Sequence, residues 1–282
     1  MEISRSKTEA RQTADKAKQD SKPWIRRLGR SGYMAQGLVY GLIGVLAFMA
    51  AIGAGGQTTG TSGMLQTLAG MPFGEILLWI IGIGLIGYSI WSIVKSIADA
   101  EGKGSDAKGI ITRIGYLVSA IIYGGIAFTA IKTAAGGASS GGGGSEQTIS
   151  AQLLSQPYGQ WIIGAIGAII IGYGIYEFAS GYKEKFMSKF KAGEMSMHER
   201  KLARRSGKMG LMARGIVLGM IGAFFIQTAV TADPSQSKGL DGALSELSNQ
   251  PYGQWLLGIV AFGLILYGIY GIIRGRYEHM SY

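Results

Sequence analysis

The chain has 282 residues, of which 48% are hydrophobic and only 16% charged; 47 are Gly, none is Cys, and the formal net charge is +10. With a mean hydropathy of +0.24, this composition excludes a disordered chain and an ordinary soluble domain and fits a membrane protein. The lack of Cys also excludes disulfides and Cys-ligated metal sites.

In chain order, residues 1–27 come first. They are hydrophilic, rich in Lys, Gln, Ala and Asp, and are expected as a basic cytoplasmic tail, disordered or loosely helical and able to lie on the membrane. This leader is too long for the n-region of a signal peptide, and the apolar run after it recurs further on, so no cleaved signal is expected. Six apolar runs follow: Tyr33–Ile52, Phe73–Ile97, Tyr116–Ala135, Tyr158–Ala179, Met209–Val230 and Tyr252–Ile273. Each reaches about 20 residues, enough as a helix to cross a hydrocarbon core of about 30 Å. Six crossings put both termini on one side. Lys and Arg concentrate at one set of helix ends, with nine in 1–32, four in 95–113, nine in 182–208 and two in 274–282. Only Lys132, Arg214 and Lys238 fall elsewhere. That asymmetry places the termini in the cytoplasm. It predicts attraction to anionic lipid headgroups at the cytoplasmic face, at about 1 kcal/mol per basic residue near the surface. Nucleic acid is not an expected partner.

The runs are copies of one another. Pro72-Phe73-Gly74 returns as Pro157-Tyr158-Gly159 and Pro251-Tyr252-Gly253, and each second run carries a Tyr-x-x-aromatic pair: Tyr88 and Trp91, Tyr173 and Tyr176, Tyr267 and Tyr270. One unit of roughly 90 residues has been used three times. The units are 28–99, 108–184 and 204–278, with a basic connector at 185–203. Phe186, Met187, Phe190, Met195 and Met197 lie among its Lys residues, so a short interfacial helix is expected there. Each unit has a short amphipathic stretch before its Pro. Leu65 and Leu68 return as Leu244 and Leu247, while the middle unit keeps Leu153 but has Ser150 at the other offset. These stretches are expected as short or re-entrant helices. The Pro is expected to start the second spanning helix, where its missing N–H costs nothing. Gly141–Ser145 reads as a flexible linker, natural or inserted. Two crossings per unit make the repeats parallel. The expected fold is therefore an all-α integral membrane protein of six transmembrane helices, pseudo-threefold about the membrane normal.

Comparison between units picks out positions. Small residues sit four apart in each first helix, Gly37/Gly41, Ala120/Gly124 and Gly215/Gly219, the pattern of close helix packing. The residue before each pair is polar: Gln36, Ser119 and Arg214. On the same face lie Tyr33 and Tyr40, Tyr116 and Tyr123, and Leu211 and Leu218. The polar residues and their Tyr neighbours are candidate axial positions. Arg214 either snorkels to the headgroups or faces a protein interior. The Tyr-x-x-aromatic pairs are expected as interface anchors, with a cytoplasmic vestibule as the alternative. Lys95, Arg274, Asp99, Glu184 and Glu278 read as solvated charge. Glu177, the one acid inside an apolar run, is expected to pair with Lys or Arg. The two histidines, His198 and His279, are far apart in sequence. No carboxylate pair, His cluster, phosphate loop or nucleophile motif stands out, so no enzyme, metal or cofactor is expected.

Arg30-Ser31-Gly32-Tyr33-Met34-Ala35-Gln36-Gly37-Leu38-Val39-Tyr40, Pro72-Phe73-Gly74 and Gly84-Leu85-Ile86-Gly87-Tyr88-Ser89-Ile90-Trp91 resemble the bacterial membrane family called "domain of unknown function 1206". The resemblance covers roughly residues 27–278 and implies three tandem two-helix units in a bacterial cell membrane. The family's Ala-Arg-Gly stands intact only as Ala213-Arg214-Gly215. No activity is implied. Two functional readings follow. The first is a Gly-packed bundle that partners another membrane protein, forms a homo-oligomer or organises lipid. The second is a channel or transporter for a small solute or anion along the pseudo-threefold axis. The first is favoured, because the middle of every span is Gly, Ile, Leu and Ala with no Pro break.

Overall fold

The computed structural model describes residues 2–99, 104, 106–137 and 145–278. Gly141–Gly144 of the linker-like segment and His279 lie outside the described residues. Helices α1 (Glu2–Ala51), α3 (Gly74–Ile97), α4 (Ala107–Ala134), α6 (Gly159–Tyr182), α7 (Met197–Thr231) and α9 (Gly253–Tyr277) each contain a stretch long and apolar enough to cross a membrane. The short helices α2 (Thr61–Ala69), α5 (Ser145–Leu154) and α8 (Leu240–Asn249) lie in the loops at one end. The protein is an all-helical, multi-pass membrane protein. We call the end rich in Lys and Arg the basic end and the other the loop end.

Of the two forms expected of the leader, disordered or loosely helical, the structure has the helical one. The helix of the first span runs back without interruption to Glu2, as a sequence rich in Ala, Lys, Gln and Arg favours. The connector differs from expectation. Instead of an interfacial helix it forms two single 3₁₀ turns, Lys185–Lys189 and Ala192–Glu194. Its Phe186 and Phe190 are buried against Tyr270, at ring distances of 5.3 and 5.9 Å. These aromatics find protein, not lipid, because the end of α9 offers a cleft to fill. A capping box between Ser196 and Glu199 then starts α7. Arg204 donates to Glu184 at 2.5 Å; this bond, with Arg204 and Lys208 close by, holds the Glu184 carboxyl below the usual carboxylate range.

The Pro-aromatic-Gly motif is a turn whose Gly is the first residue of the spanning helix, so Pro itself stands two residues before the helix. Gly74 N–H closes it onto Met71 O at 2.9 Å, with the equivalent bonds Gly159 to Gln156 at 3.0 Å and Gly253 to Gln250 at 2.7 Å. Pro takes the second turn position, where its fixed φ suits. The aromatic takes the third, in the left-handed region: φ is 63° at Phe73, 64° at Tyr158 and 60° at Tyr252. A non-Gly residue there is strained, and repeating it three times marks a built feature. Gly is obligatory next. A Cβ at Gly74, Gly159 or Gly253 would stand 1.6, 1.9 or 2.1 Å from a carbonyl oxygen of the preceding short helix or its end. The aromatics themselves point outward; Phe73, Tyr158 and Tyr252 are the exposed ring at the loop end. Beneath them, Leu65 and Leu244 are fully buried, and so is Ser150 at the equivalent position. Ser150 accepts a hydrogen bond from Ser237 at 2.6 Å, and Ser237 in turn meets Thr228 at 2.9 Å. A polar residue is affordable in a core only with such partners.

Helices meet through missing side chains. The second helix of each unit packs on the first helix of the next: α3 on α4, α6 on α7, and α9 back on α1. At α9 on α1, a Cβ at Gly37 would lie 2.6 Å from Gly268 O, and one at Gly271 would lie 2.7 Å from Gly37 Cα. At α6 on α7, a Cβ at Gly174 would lie 2.8 Å from Gly215 O and one at Gly167 2.8 Å from Gly222 O. Gly41 and Gly219 sit in the same two contacts, opposite Gly268 and Gly174. At α3 on α4 the approach is looser. Ser89 replaces the Gly of the second helix and donates to Ala120 O at 2.7 Å, and a Cβ at Gly124 would lie 3.3 Å from its hydroxyl. The expected packing positions all lie in these contacts.

Packing within a unit is different. In unit one, a Cβ at Gly32 would lie 2.5 Å from Tyr88 Cα and one at Gly84 2.5 Å from Ala35 Cβ. Unit three repeats this: a Cβ at Gly210 would lie 2.5 Å from Tyr267 Cα and one at Gly263 2.3 Å from Ala213 Cβ. Unit two does not. Among the described residues α4 and α6 make almost no contact with each other, and nothing lies within 4 Å of a Cβ built on Gly115 or Gly172. The cause is in the sequence. Val118 stands where units one and three have Ala35 and Ala213, and Ile169 stands where they have Gly84 and Gly263. Two β-branched side chains project where the closed hairpins bring Ala against Gly. Only 22% of the apolar windows of α4 and α6 is buried, against 44–50% in the other spans. The bundle is thus a run of neighbours, α4-α3-α1-α9-α7-α6, with a seam between its ends.

Gly268→Val is expected to destabilise the detergent-solubilised protein by about 1–3 kcal/mol, because the added atoms meet backbone that cannot move aside. Gly172→Ala, in open space, is expected to change stability by no more than about 0.5 kcal/mol. Paired thermal unfolding curves check both.

Candidate functional site

Tyr33, Gln36 and Tyr40 recur at helical spacing and share one face of α1. That face looks into the bundle, where every spanning helix contributes a polar or aromatic side chain. Gln36 is buried and donates from Nε2 to the Tyr123 hydroxyl of α4 at 2.5 Å. Tyr123 packs edge-on to Tyr88 of α3 at 4.6 Å, and Tyr88 in turn meets Tyr33 at 5.5 Å. Tyr40 packs edge-on to Tyr267 of α9 at 5.0 Å.

At the middle of this group is Arg214 of α7, which does not snorkel. It is 9% exposed and donates from Nη1 to Glu177 Oε1 of α6, itself 5% exposed. Its guanidinium carbon lies 5.1 Å from the Tyr40 ring centre, 5.0 Å from Tyr267 and 5.9 Å from Tyr173. Three ring faces and one carboxylate replace the water that the cation has lost. The pairing is incomplete. Among the described residues, Arg214 Nε and Glu177 Oε2 are buried without a hydrogen-bond partner. An isolated charge here would be costly, and the pair is net neutral, so the site holds two charges and no excess of either sign.

The repeats explain how the pair meets. Gly174 and Gly215 let α6 and α7 touch backbone to backbone. Glu177 follows Gly174 by three residues and Arg214 precedes Gly215 by one, so both side chains flank the tightest point. The equivalent α9–α1 contact carries Gly271 and Gln36, and the α3–α4 contact carries Ser92 and Ser119. Only one of the three contacts holds a charge pair.

Of the candidate axial residues, Gln36, Tyr33, Tyr40, Tyr123 and Arg214 come together. Ser119 does not. It is half-buried and returns its hydroxyl to Gly115 O at 2.9 Å on its own helix, a common fate of Ser in a helix. Tyr116 serves a second cluster nearer the basic end. There Lys95 Nζ lies 4.3 Å from the Tyr116 ring centre and donates to the Tyr33 hydroxyl at 3.0 Å. Arg274 also donates to that hydroxyl, at 3.2 Å, while lying 4.0 Å from the Tyr33 ring centre. Glu278 accepts both its Nε and Nη2 at 2.8 Å. Lys95 and Glu278 are buried, not solvated as their place at helix ends suggests. The signal was present: Lys95 and Arg274 follow Tyr88 and Tyr267 by seven residues, two turns along the same inward face.

The interface anchors also need correction. Tyr88, Trp91, Tyr267 and Tyr270 are buried, not lipid-facing. The within-unit Gly contacts turn that face inward. Only Tyr173 and Tyr176, in the unit whose hairpin stays open, are exposed; they stack on each other at 6.2 Å. Among the described residues no group of three or more His, Asp or Glu side chains converges.

A family model described as Domain of Unknown Function (DUF1206) matches the chain three times, at residues 31–99, 114–184 and 209–278. The chain is 48% identical over 267 residues to a Bacillus subtilis (strain 168) protein described as "Uncharacterized protein YxxB", across 95% of this chain and 96% of that one. No solved structure matches the chain.

Removing one partner of the buried pair is expected to cost more than removing both. Glu177→Gln leaves the guanidinium buried without its carboxylate and is expected to destabilise by about 3–5 kcal/mol. The double variant Glu177→Gln/Arg214→Gln, which restores the residue type of Gln36, is expected to be closer to the parent than either single change. A double-mutant cycle by thermal unfolding in detergent measures the difference.

Proposed function

The chain belongs to the Domain of Unknown Function (DUF1206) family, and from the geometry of this member we propose that it is a lipid-organising helical bundle of the bacterial cell membrane and not an open pathway. The observation that carries this reading is where the space lies. Along the centre, Tyr88, Tyr123 and Tyr267 are buried around a neutralised ion pair. The space is at the side, where α4 and α6 stand apart and present Ile, Val and Tyr to the bilayer. The lipid-facing surface and the basic end together suit contact with anionic phospholipid.

A second reading, passage of a small solute or anion along the axis, draws on one observation: a guanidinium at the level where the six spans converge. Glu177 weakens that reading, because it cancels the field that would select an anion. We place the basic end, with both termini, in the cytoplasm on the excess of Lys and Arg there.

Two measurements test these readings. Protein reconstituted into liposomes is expected to leave chloride and small-solute permeability at the level of protein-free vesicles. A protein-dependent flux that Arg214→Ala abolishes would instead establish the second reading. Membrane discs excised with their native lipids are expected to be enriched in anionic phospholipid over the bulk membrane. Because the chain has no Cys, Ser235→Cys at the loop end is expected to react with an impermeant maleimide on intact cells. Ser188→Cys in the connector is expected to react only after lysis.

A further inference from the structure

The seam in unit two is the feature that neither the repeat nor the family description accounts for. Its walls are the same faces that units one and three bury inside their hairpins. Ala35 is 4% exposed and its counterpart Val118 is 49%; Trp91 is 3% and its counterpart Tyr176 is 59%; Ile169, counterpart of buried Gly84, is 68%. Ile122 stands on the α4 wall one turn from Val118 and is also exposed. These residues lie within the spans, so whatever covers them is apolar and resident in the membrane.

The chemistry of the walls selects between a helix and a lipid. Every tight helix contact in this protein is made where Gly lets backbones approach. The seam keeps Gly115 at the position of Gly32 and Gly210, but Val118 projects in place of Ala35 and Ile169 in place of Gly84. Projecting Val and Ile remove the close backbone approach that the other contacts use, whereas a flexible acyl chain fits around them. The polar end of the seam is also specified. Tyr173 stands on the α6 wall with its ring 5.9 Å from the Arg214 guanidinium. Behind it are the buried, unpartnered Arg214 Nε and Glu177 Oε2, one donor and one acceptor. Lys183 and Lys185 are exposed where α6 ends and add positive charge at that mouth.

We infer that the seam binds one anionic phospholipid. An acyl chain lies between Val118 and Ile122 of α4 and Ile169 of α6, and the headgroup sits at the basic end beside Tyr173 and Tyr176. Lys183 and Lys185 at that mouth supply the positive charge that an anionic headgroup meets. This assignment rests on the lipid-organising reading and makes it specific to one place on the molecule.

The test uses the full chain in vesicles that contain phosphatidylglycerol with a photoreactive diazirine in its acyl chain. Peptide mapping after illumination is expected to concentrate the label on α4 and α6 around residues 118–122 and 169–176. Val118→Ala/Ile169→Gly, which installs the residue types of the closed units, is expected to reduce labelling there about tenfold, equivalent to about 1.4 kcal/mol of binding. Gly172→Leu fills the seam from a position with open space around it; it keeps the assignment testable if the double variant fails to fold, and the same loss is expected. Label spread evenly over the six spans, or labelling unchanged in both variants, overturns the site. So does disulfide-linked dimer formation by Val118→Cys in membranes, which would make the occupant a second copy. If the seam label is absent while excised discs remain enriched in anionic lipid, the site falls and the lipid-organising reading stands. If that enrichment is also absent and the protein conducts solute, both fall.

Discussion

The structure depends on backbone approaching backbone at glycine. Within a bilayer the hydrophobic effect does not press helices together, since lipid tails are as apolar as Leu. Association then rests on dispersion between close surfaces, and closeness is set by the smallest residue at the contact. Gly37 against Gly268 and Gly271, and Gly174 against Gly215, supply that closeness at two of the three contacts between units. Gly32 against Tyr88 and Gly210 against Tyr267 supply it within units one and three. The rest of the architecture follows from which of these contacts is available. Unit two loses its internal one to Val118 and Ile169, and with it the symmetry of the triplicated design.

The same contacts decide the fate of the polar residues. Arg214 could extend toward the headgroups if α7 faced lipid on that side. It is instead flanked by α6 and α9, because Gly174 and Gly263 draw those helices in. Once enclosed, its charge needs a partner. Glu177 is that partner and sits at the same narrow point, so the cost of burying either group alone binds the two together. Tyr rings from α1, α6 and α9 complete the enclosure. At the basic end, Tyr33 plays a comparable part, accepting from both Lys95 and Arg274. The centre of the bundle is therefore polar, aromatic and occupied, while α4 and α6 stand apart at the side.

Much of this was legible in the sequence, and the parts that were not share a cause. Span number and repeat boundaries come from local apolar runs and from a spacing repeated three times. The packing role of Gly37, Gly41, Gly215 and Gly219 also shows as a pattern, because small-residue spacing is a property of one helix. The stripe of Tyr33, Gln36 and Tyr40 shows for the same reason. The direction in which Tyr88 and Trp91 point does not. A Tyr near a helix end reads as an interface anchor, and whether it meets lipid or a neighbour depends on the next helix. Lys95 and Arg274 were misplaced on the same ground. The outward turn of Pro72-Phe73-Gly74 was hidden because a Pro before an apolar run reads as a helix start. Only the left-handed φ at Phe73 separates the two.

By itself the sequence determined the class of the protein, the six spans, the three units and the small residues that let helices touch. These are consequences of composition and period, which act along the chain. Tertiary structure alone decided that Arg214 meets Glu177, that Ser119 stays apart from Gln36, and that unit two opens. Those outcomes depend on how closely neighbouring helices approach, at the scale of a single side chain. At that scale the exchange of Ala for Val and Gly for Ile at two facing positions separates a closed hairpin from a seam.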